Sequence, residues 1–215
     1  MTAPTQQRRP RKERKDNADR RRRQLLDATR RSISAYGLKR TTLDTVAEEA
    51  GLSRSIAGFY FKSKSGLLTE TLLDLEKTYE QHWSAALESA GDDPIAQLIA
   101  LVRADFDPKV YNLEFIFSWN ALWGERQLAV PSFGDLNEVE HRRQRASRDI
   151  LNSLLAGEPE RADELSFLLE ALLDGLWHAV ELKGETADRE KLTVSVLRFL
   201  AKYLPEHSDA ILSQQ

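Results

Sequence analysis

Residues 41–68 read TTLDTVAEEAGLSRSIAGFYFKSKSGLL, and few folds accommodate that run. Thr42 can cap a short helix by accepting from its free first-turn amides. Val46, Ala47 and Ala50 then share one helical face. Gly51 falls where the chain must turn sharply, and glycine enters the φ > 0 region without steric cost. Ser53 can cap a second helix that turns Ile56, Ala57 and Tyr60 inward. Ala47 is small where the two helices would cross. These are the parts of a helix-turn-helix, whose second helix fits the major groove of DNA. Buried helical hairpins share the same pattern, so the run alone leaves an ordinary hairpin open.

Charge separates the two readings. Residues 1–64 hold 17 Lys/Arg and 7 Asp/Glu, whereas the remainder holds 14 and 27. A first third at +10 joined to a remainder at −13 places a polyanion-binding surface on one lobe. Residues 1–16 carry no apolar periodicity and two prolines, and read as a disordered basic arm. That arm is either a solvated tail or a strand of Lys/Arg along the phosphates.

Helical periodicity dominates the rest, and glycine and proline mark its breaks. The first helix is expected over 17–36, with Leu25, Leu26, Thr29, Ile33 and Tyr36 on one face and Gly37 at its end. After the helix-turn-helix, Ser63 caps a long fourth helix over 64–89. Asp93-Pro94 opens a fifth and Asp107-Pro108 a sixth, running to about residue 125. Pro131 separates it from a seventh over 135–155. Gly157 and Pro159 precede an eighth over 160–183, and Gly184 a ninth over 188–203. The expected architecture is all-α in two domains. Residues 17–63 form the helix-turn-helix domain, and 64–215 a larger ligand-binding and dimerisation domain.

The chain has no cysteine, which excludes disulfides and thiolate metal sites. No apolar run approaches the length of a membrane span, and the Arg-rich N-terminus lacks the apolar stretch of a secretory signal. A cytoplasmic protein is expected. Histidines 82, 141, 178 and 207 lie in separate segments without metal-ligand spacing, and Glu138 and Glu140 cannot share a helical face. No phosphate loop or nucleophile elbow occurs. Neither catalysis nor a metal nor a cofactor is expected.

Three small helices followed by about six longer ones resemble the TetR family of one-component repressors. Val46-Ala47, Ala50-Gly51-Leu52-Ser53 and Phe61-Lys62-Ser63-Lys64 match that family's DNA-binding domain in order and spacing. The likeness is strongest over 18–68. Arg21-Arg22-Arg23-Gln24-Leu25, Phe106-Asp107, Trp119 with Trp123, Asp174-Gly175-Leu176-Trp177 and Tyr203-Leu204-Pro205 further resemble the choline-sensing repressors of glycine-betaine synthesis. The resemblance implies a homodimer on palindromic operator DNA, released by a small molecule.

It also implies a DNA-contacting set of Thr42, Ser53, Arg54, Ser55, Phe59, Tyr60 and Lys64. Thr42, Tyr60 and Lys64 would touch phosphates, Lys64 from the first turn of the fourth helix. Arg54 could hold a guanine edge with two hydrogen bonds, and Phe59 could pack on a thymine methyl. Phe59 and Tyr60 could equally be core aromatics. The family often carries tyrosine where this chain has Gly58. That shifts base reading onto Arg54, Ser55 and Phe59, and weakens a short helix by about 1 kcal/mol relative to alanine.

All four tryptophans, Trp83, Trp119, Trp123 and Trp177, lie beyond the helix-turn-helix. Phe115, Trp119 and Trp123 are spaced i, i+4, i+8, and Tyr79 with Trp83 form another i, i+4 pair. Rings with a carboxylate hold quaternary ammonium cations. The candidate ligand set is Tyr111, Glu114, Phe115, Trp119, Trp123, Asp174 and Trp177, with choline the foremost ligand. The same rings could fill an ordinary core or stack a flat lipophilic effector, and Asp174 could serve its own helix or a dimer contact. A DNA-binding protein without a ligand is a further alternative.

Overall fold

The computed structural model describes residues 11–128 and 136–213, and among them every regular element is helical. In chain order these are α1 (Arg11–Arg40), α2 (Leu43–Glu49), α3 (Arg54–Tyr60), α4 (Lys64–Ala90), α5 (Pro94–Asp105) and α6 (Leu113–Leu128). There follow α7 (Leu136–Leu154), α8 (Pro159–Lys183), α9 (Arg189–Tyr203) and, after a 3-10 turn over Pro205–His207, α10 (Ser208–Leu212). The chain divides into two compact units, one up to Thr71 and one from Leu72 onward. The division falls inside α4, two turns beyond the boundary set at residue 64, because Leu67 belongs to the core of the first unit.

The caps follow side-chain chemistry. Thr42 accepts from the Thr45 amide at 3.2 Å while the Thr45 hydroxyl accepts from the Thr42 amide at 2.8 Å, a reciprocal box that starts α2. Gly51 turns the chain at φ 64°. Asp93 accepts from the Ile95 and Ala96 amides ahead of Pro94, and Asp188 from those of Glu190 and Lys191.

Three expectations shift. α1 starts at Arg11 rather than residue 17, because Arg, Lys and Glu propagate a helix without an apolar stripe. Residues 1–10 of the arm lie outside the described residues, as does Pro131. Gly37 breaks the helix at φ 75°, ψ 167°, but a helical turn resumes to Arg40, and Tyr36 is exposed beneath the Arg40 guanidinium rather than buried. Asp107-Pro108 opens only a turn, in which Asp107 Oδ1 accepts from the Lys109 amide at 2.9 Å. Val110 and Tyr111 are buried there, and Asn112 Oδ1 accepts from the Phe115 amide at 2.9 Å to cap α6 instead.

In the first unit Leu25, Leu26 and Ala28 of α1 meet Leu43, Val46 and Ala47 of α2, Ala57 of α3, and Phe61 and Leu67. In the second unit α5 is the hub. It packs on α7, α9 and α10, and Leu98, Ile99, Leu101, Val102, Ala104 and Asp105 are all buried. α8 packs on α6 and α7. Arg143, Ser147, Ile150 and Leu151 form the buried stripe of the otherwise polar α7.

Candidate DNA interface and effector cavity

The seven-residue α3 spends its apolar side on the core of the first unit. Ala57 is fully buried, and Tyr60 is partly buried against the core. The opposite side presents Arg54, Ser55 and Phe59 to solvent. Phe59 is 79 % exposed and meets Tyr60 edge-on at 5.3 Å, which removes its reading as a core ring. Ser53 caps the helix, accepting from the Ile56 amide at 3.4 Å, and its hydroxyl lies 2.9 Å from that of Ser55.

Arg54 forms an ion pair with Asp44 of α2, both largely exposed. The Lys64 ammonium donates to the carbonyls of Leu38 and, at 3.4 Å, Lys39. It thereby satisfies carbonyls just past the Gly37 break and ties α4 to the end of α1. A Cβ added at Gly58 would meet nothing within 4 Å. The helix thus has room for a side chain that this sequence omits.

The second unit holds a cavity of about 390 Å³, lined from α4 by Glu76, Tyr79 and Trp83 and from α6 by Trp119 and Trp123. Arg143 and Gln144 of α7, and Phe167, Glu170, Ala171, Asp174 and His178 of α8, complete it. Trp119 and Trp123 stack face to face, 5.6 Å apart and 8° from parallel. Tyr79 sets its edge against Trp119 at 5.5 Å. Phe115 and Trp177 are not in the lining but back it, each about 6 Å from Trp119. Trp177 is fixed by its Nε1 donating to the Asp105 carbonyl at 3.1 Å.

Of the candidate ligand residues, Trp119, Trp123 and Asp174 reach the cavity directly. Tyr111 and Glu114 stand outside its lining. Tyr111 is buried edge-on against Phe106 at 5.4 Å, because the turn before α6 directs it into the core. Glu114 sits in the first turn of α6, more than two turns before Trp123.

The polar part of the cavity rests on Arg143, which is 4 % exposed. Its guanidinium donates to Asp105 Oδ2 at 2.5 Å and to both oxygens of Glu170, and lies 5.9 Å from the Tyr79 ring centre. Tyr79 donates its hydroxyl to Asp105 Oδ1 at 2.5 Å. Burial raises the Asp105 carboxyl to about 6, against the opposing pull of Arg143 and the Tyr79 hydrogen bond. Burial also lifts the Tyr79 hydroxyl above its ordinary value. Burial works against the Arg143 charge, but Asp105 and Glu170 outweigh it and the guanidinium is held protonated.

Sequence reasoning missed Glu76, Arg143 and Glu170. Arg143 sits in the run His141-Arg142-Arg143-Gln144-Arg145, where nothing local distinguishes it. Only its place on the Ser147 and Leu151 side of α7 marks it. Tyr79 and Trp83 were visible as an aromatic pair, though not as members of this wall.

The lining carries three carboxylates and one guanidinium among its aromatics. Such a pocket favours a compact organic cation over an anion. Among the described residues no group of three or more His, Cys, Asp or Glu could hold a metal ion, and no helix is long and apolar enough to cross a membrane.

Residues 25–71 match the sequence profile of the bacterial regulatory proteins, tetR family. The HTH-type transcriptional regulator BetI of Burkholderia thailandensis is 37 % identical over 194 residues, covering 86 % of this chain and 91 % of that protein. BetI of Escherichia coli is 30 % identical over 191 residues, covering 86 % and 94 %. A transcriptional regulator of Saccharomonospora viridis, solved in complex with choline, superposes with a TM-score of 0.70 at 25 % identity, over 85 % of this chain and 96 % of that one. These relatives are regulators and not enzymes. With the helix-turn-helix and its solvent-facing α3 in place, the chain belongs to the TetR family of DNA-binding transcriptional regulators.

Proposed function

We propose that the protein is a homodimeric repressor that leaves a roughly palindromic operator when its second unit binds a small quaternary ammonium ion, with choline the foremost ligand. The observation that carries the ligand class is the cavity walled by stacked Trp119 and Trp123 and edged by Glu76, Glu170 and Asp174. Ring faces attract a cation through their quadrupole, by about 2 kcal/mol each when desolvated. Two or three such contacts support sensing between roughly micromolar and millimolar concentration. The likeness to a choline-bound regulator supports the same class.

The exposed face of α3 supports base reading by Arg54, Ser55 and Phe59, with Thr42, Ser53, Tyr60 and Lys64 toward the phosphates. Arg54 must exchange Asp44 for a base edge, and Lys64 must share its ammonium between the α1 carbonyls and a phosphate. Two such helices related by a two-fold axis need half-sites about one helical turn apart or more. An effector that binds the DNA-incompetent state more tightly lowers operator affinity by that preference. The protein acts in the cytoplasm.

The test is calorimetric titration with choline and with its neutral isostere, in which carbon replaces nitrogen, followed by operator release. Choline should bind at least tenfold more tightly than the isostere and should alone release the operator. Equal affinity for the two compounds would overturn the cation reading and leave the regulator itself intact.

A further inference from the structure

Glu170, one of the three carboxylates lining the cavity, is already paired with a cation of the protein itself. Arg143 places a permanent cation between Asp105 and Glu170 and against the face of Tyr79. Two carboxylates and a ring are also what a quaternary ammonium ligand seeks. A guanidinium cannot shed its charge at any physiological pH, so it cannot yield the site by losing a proton. The four partners come from four helices: Tyr79 from α4, Asp105 from α5, Arg143 from α7 and Glu170 from α8. Asp105 is not in the cavity lining, whereas Arg143 and Glu170 are.

We propose that Arg143 is a built-in competitor of the cationic effector, a specificity-determining residue that sets the concentration at which the sensor responds. The inference rests on the cation-sensor reading above. A ligand entering between Trp119, Trp123 and Glu170 meets the guanidinium as a like charge across a few ångströms of low-dielectric interior. It must either share Glu170 or turn the guanidinium back onto Asp105. Both options weaken binding, and only for ligands that carry charge. A neutral molecule of the same shape pays neither cost.

The experiment compares wild type, Asp105→Asn and the double variant Arg143→Met with Asp105→Asn. The double variant strips the lining of its guanidinium and removes Asp105, the fully buried carboxyl that would otherwise lose its counter-ion, while Glu170 stays at the cavity edge. Choline should bind it at least tenfold more tightly than wild type, and the neutral isostere should bind both alike. Asp105→Asn alone should not give the gain. Arg143→Gln in the same Asp105→Asn background, which keeps an N–H for Glu170 but not the charge, provides a second probe and should move the same way. Arg143→Lys, which keeps the charge, should not. Choline-selective wild type with no tightening in the neutral variants overturns this proposal alone. Wild type that treats choline and isostere alike overturns it together with the cation-sensor reading. A gain shared equally by the isostere would mean relief of packing rather than of charge, and would also overturn it.

Discussion

Asp105 is a residue whose chemistry is set by the fold rather than by its neighbours in sequence. It ends α5 with both carboxylate oxygens engaged and with 1 % exposure. Its pKa rises in the fold from 3.8 to about 6, with burial the largest cause. A carboxyl raised on folding binds its proton more tightly in the native state. The stability it contributes is therefore full below about pH 4 and is lost as pH rises to about 6. Urea unfolding of wild type and Asp105→Asn should show wild type losing ground to the variant across that window, with a constant difference on either side. A difference that stays flat from pH 3.5 to pH 7 would contradict the assignment. None of this was legible locally. The residues around Asp105, Tyr79, Arg143 and Glu170, lie 26, 38 and 65 positions away, and no short-range pattern couples them.

At the scale of single helices the sequence was more explicit, and α3 shows why. Its limits follow from Ser53 at one end and from Phe61, whose side chain leaves the helix for the core, at the other. Its two faces follow from the 3.6 period. Gly58 is the one position that contradicts the local rule. Alanine there should stabilise the protein by about 0.5–1 kcal/mol, because the Cβ enters open space and the helix gains propensity. Urea midpoints check this. Operator affinity measured beside stability then tells what the glycine is for. Unchanged binding would mean the residue is incidental, and weakened binding in a more stable variant would mean that DNA approaches the backbone there. The Asp107-Pro108 turn is the counterexample. The same start signal that launches α5 at Asp93-Pro94 launches only a turn here, because burial of Val110 and Tyr111 outweighs cap chemistry.

For the whole molecule, the all-α class and two-part organisation were readable from periodicity and charge, while the division of labour between apolar faces was not. By sequence spacing alone, Leu165, Leu168, Leu172, Leu176 and Ala179 on α8, and Leu192, Val196, Phe199 and Leu200 on α9, form apolar stripes suited to a dimer contact. Leu165, Val196 and Leu200 prove to be core residues of their own subunit. Leu168, Leu172 and Leu176 are only half covered, as is Phe199, which packs on the exposed Tyr203 at 4.7 Å. Sequence spacing cannot separate these sets, since a helix buried on two sides repeats at the same period on both. Two such helices from each of two subunits would cover the remainder in a four-helix contact. Sedimentation at micromolar concentration should give a dimer, and Leu172→Glu with Phe199→Glu should give a folded monomer with weakened operator binding. A monomeric wild type would exclude this arrangement.

The indole stack has an optical consequence. Trp119 lies 5.6 Å from Trp123 and 6.1 Å from Trp177. Over such distances excitation hops between rings far faster than it is emitted. Light absorbed by any of the three is therefore pooled, and the emission reports whichever ring has the lowest excited state. A molecule that perturbs one indole dims or shifts all of them together. Because no tryptophan precedes residue 83, that shared emission reads the second unit without background from the first.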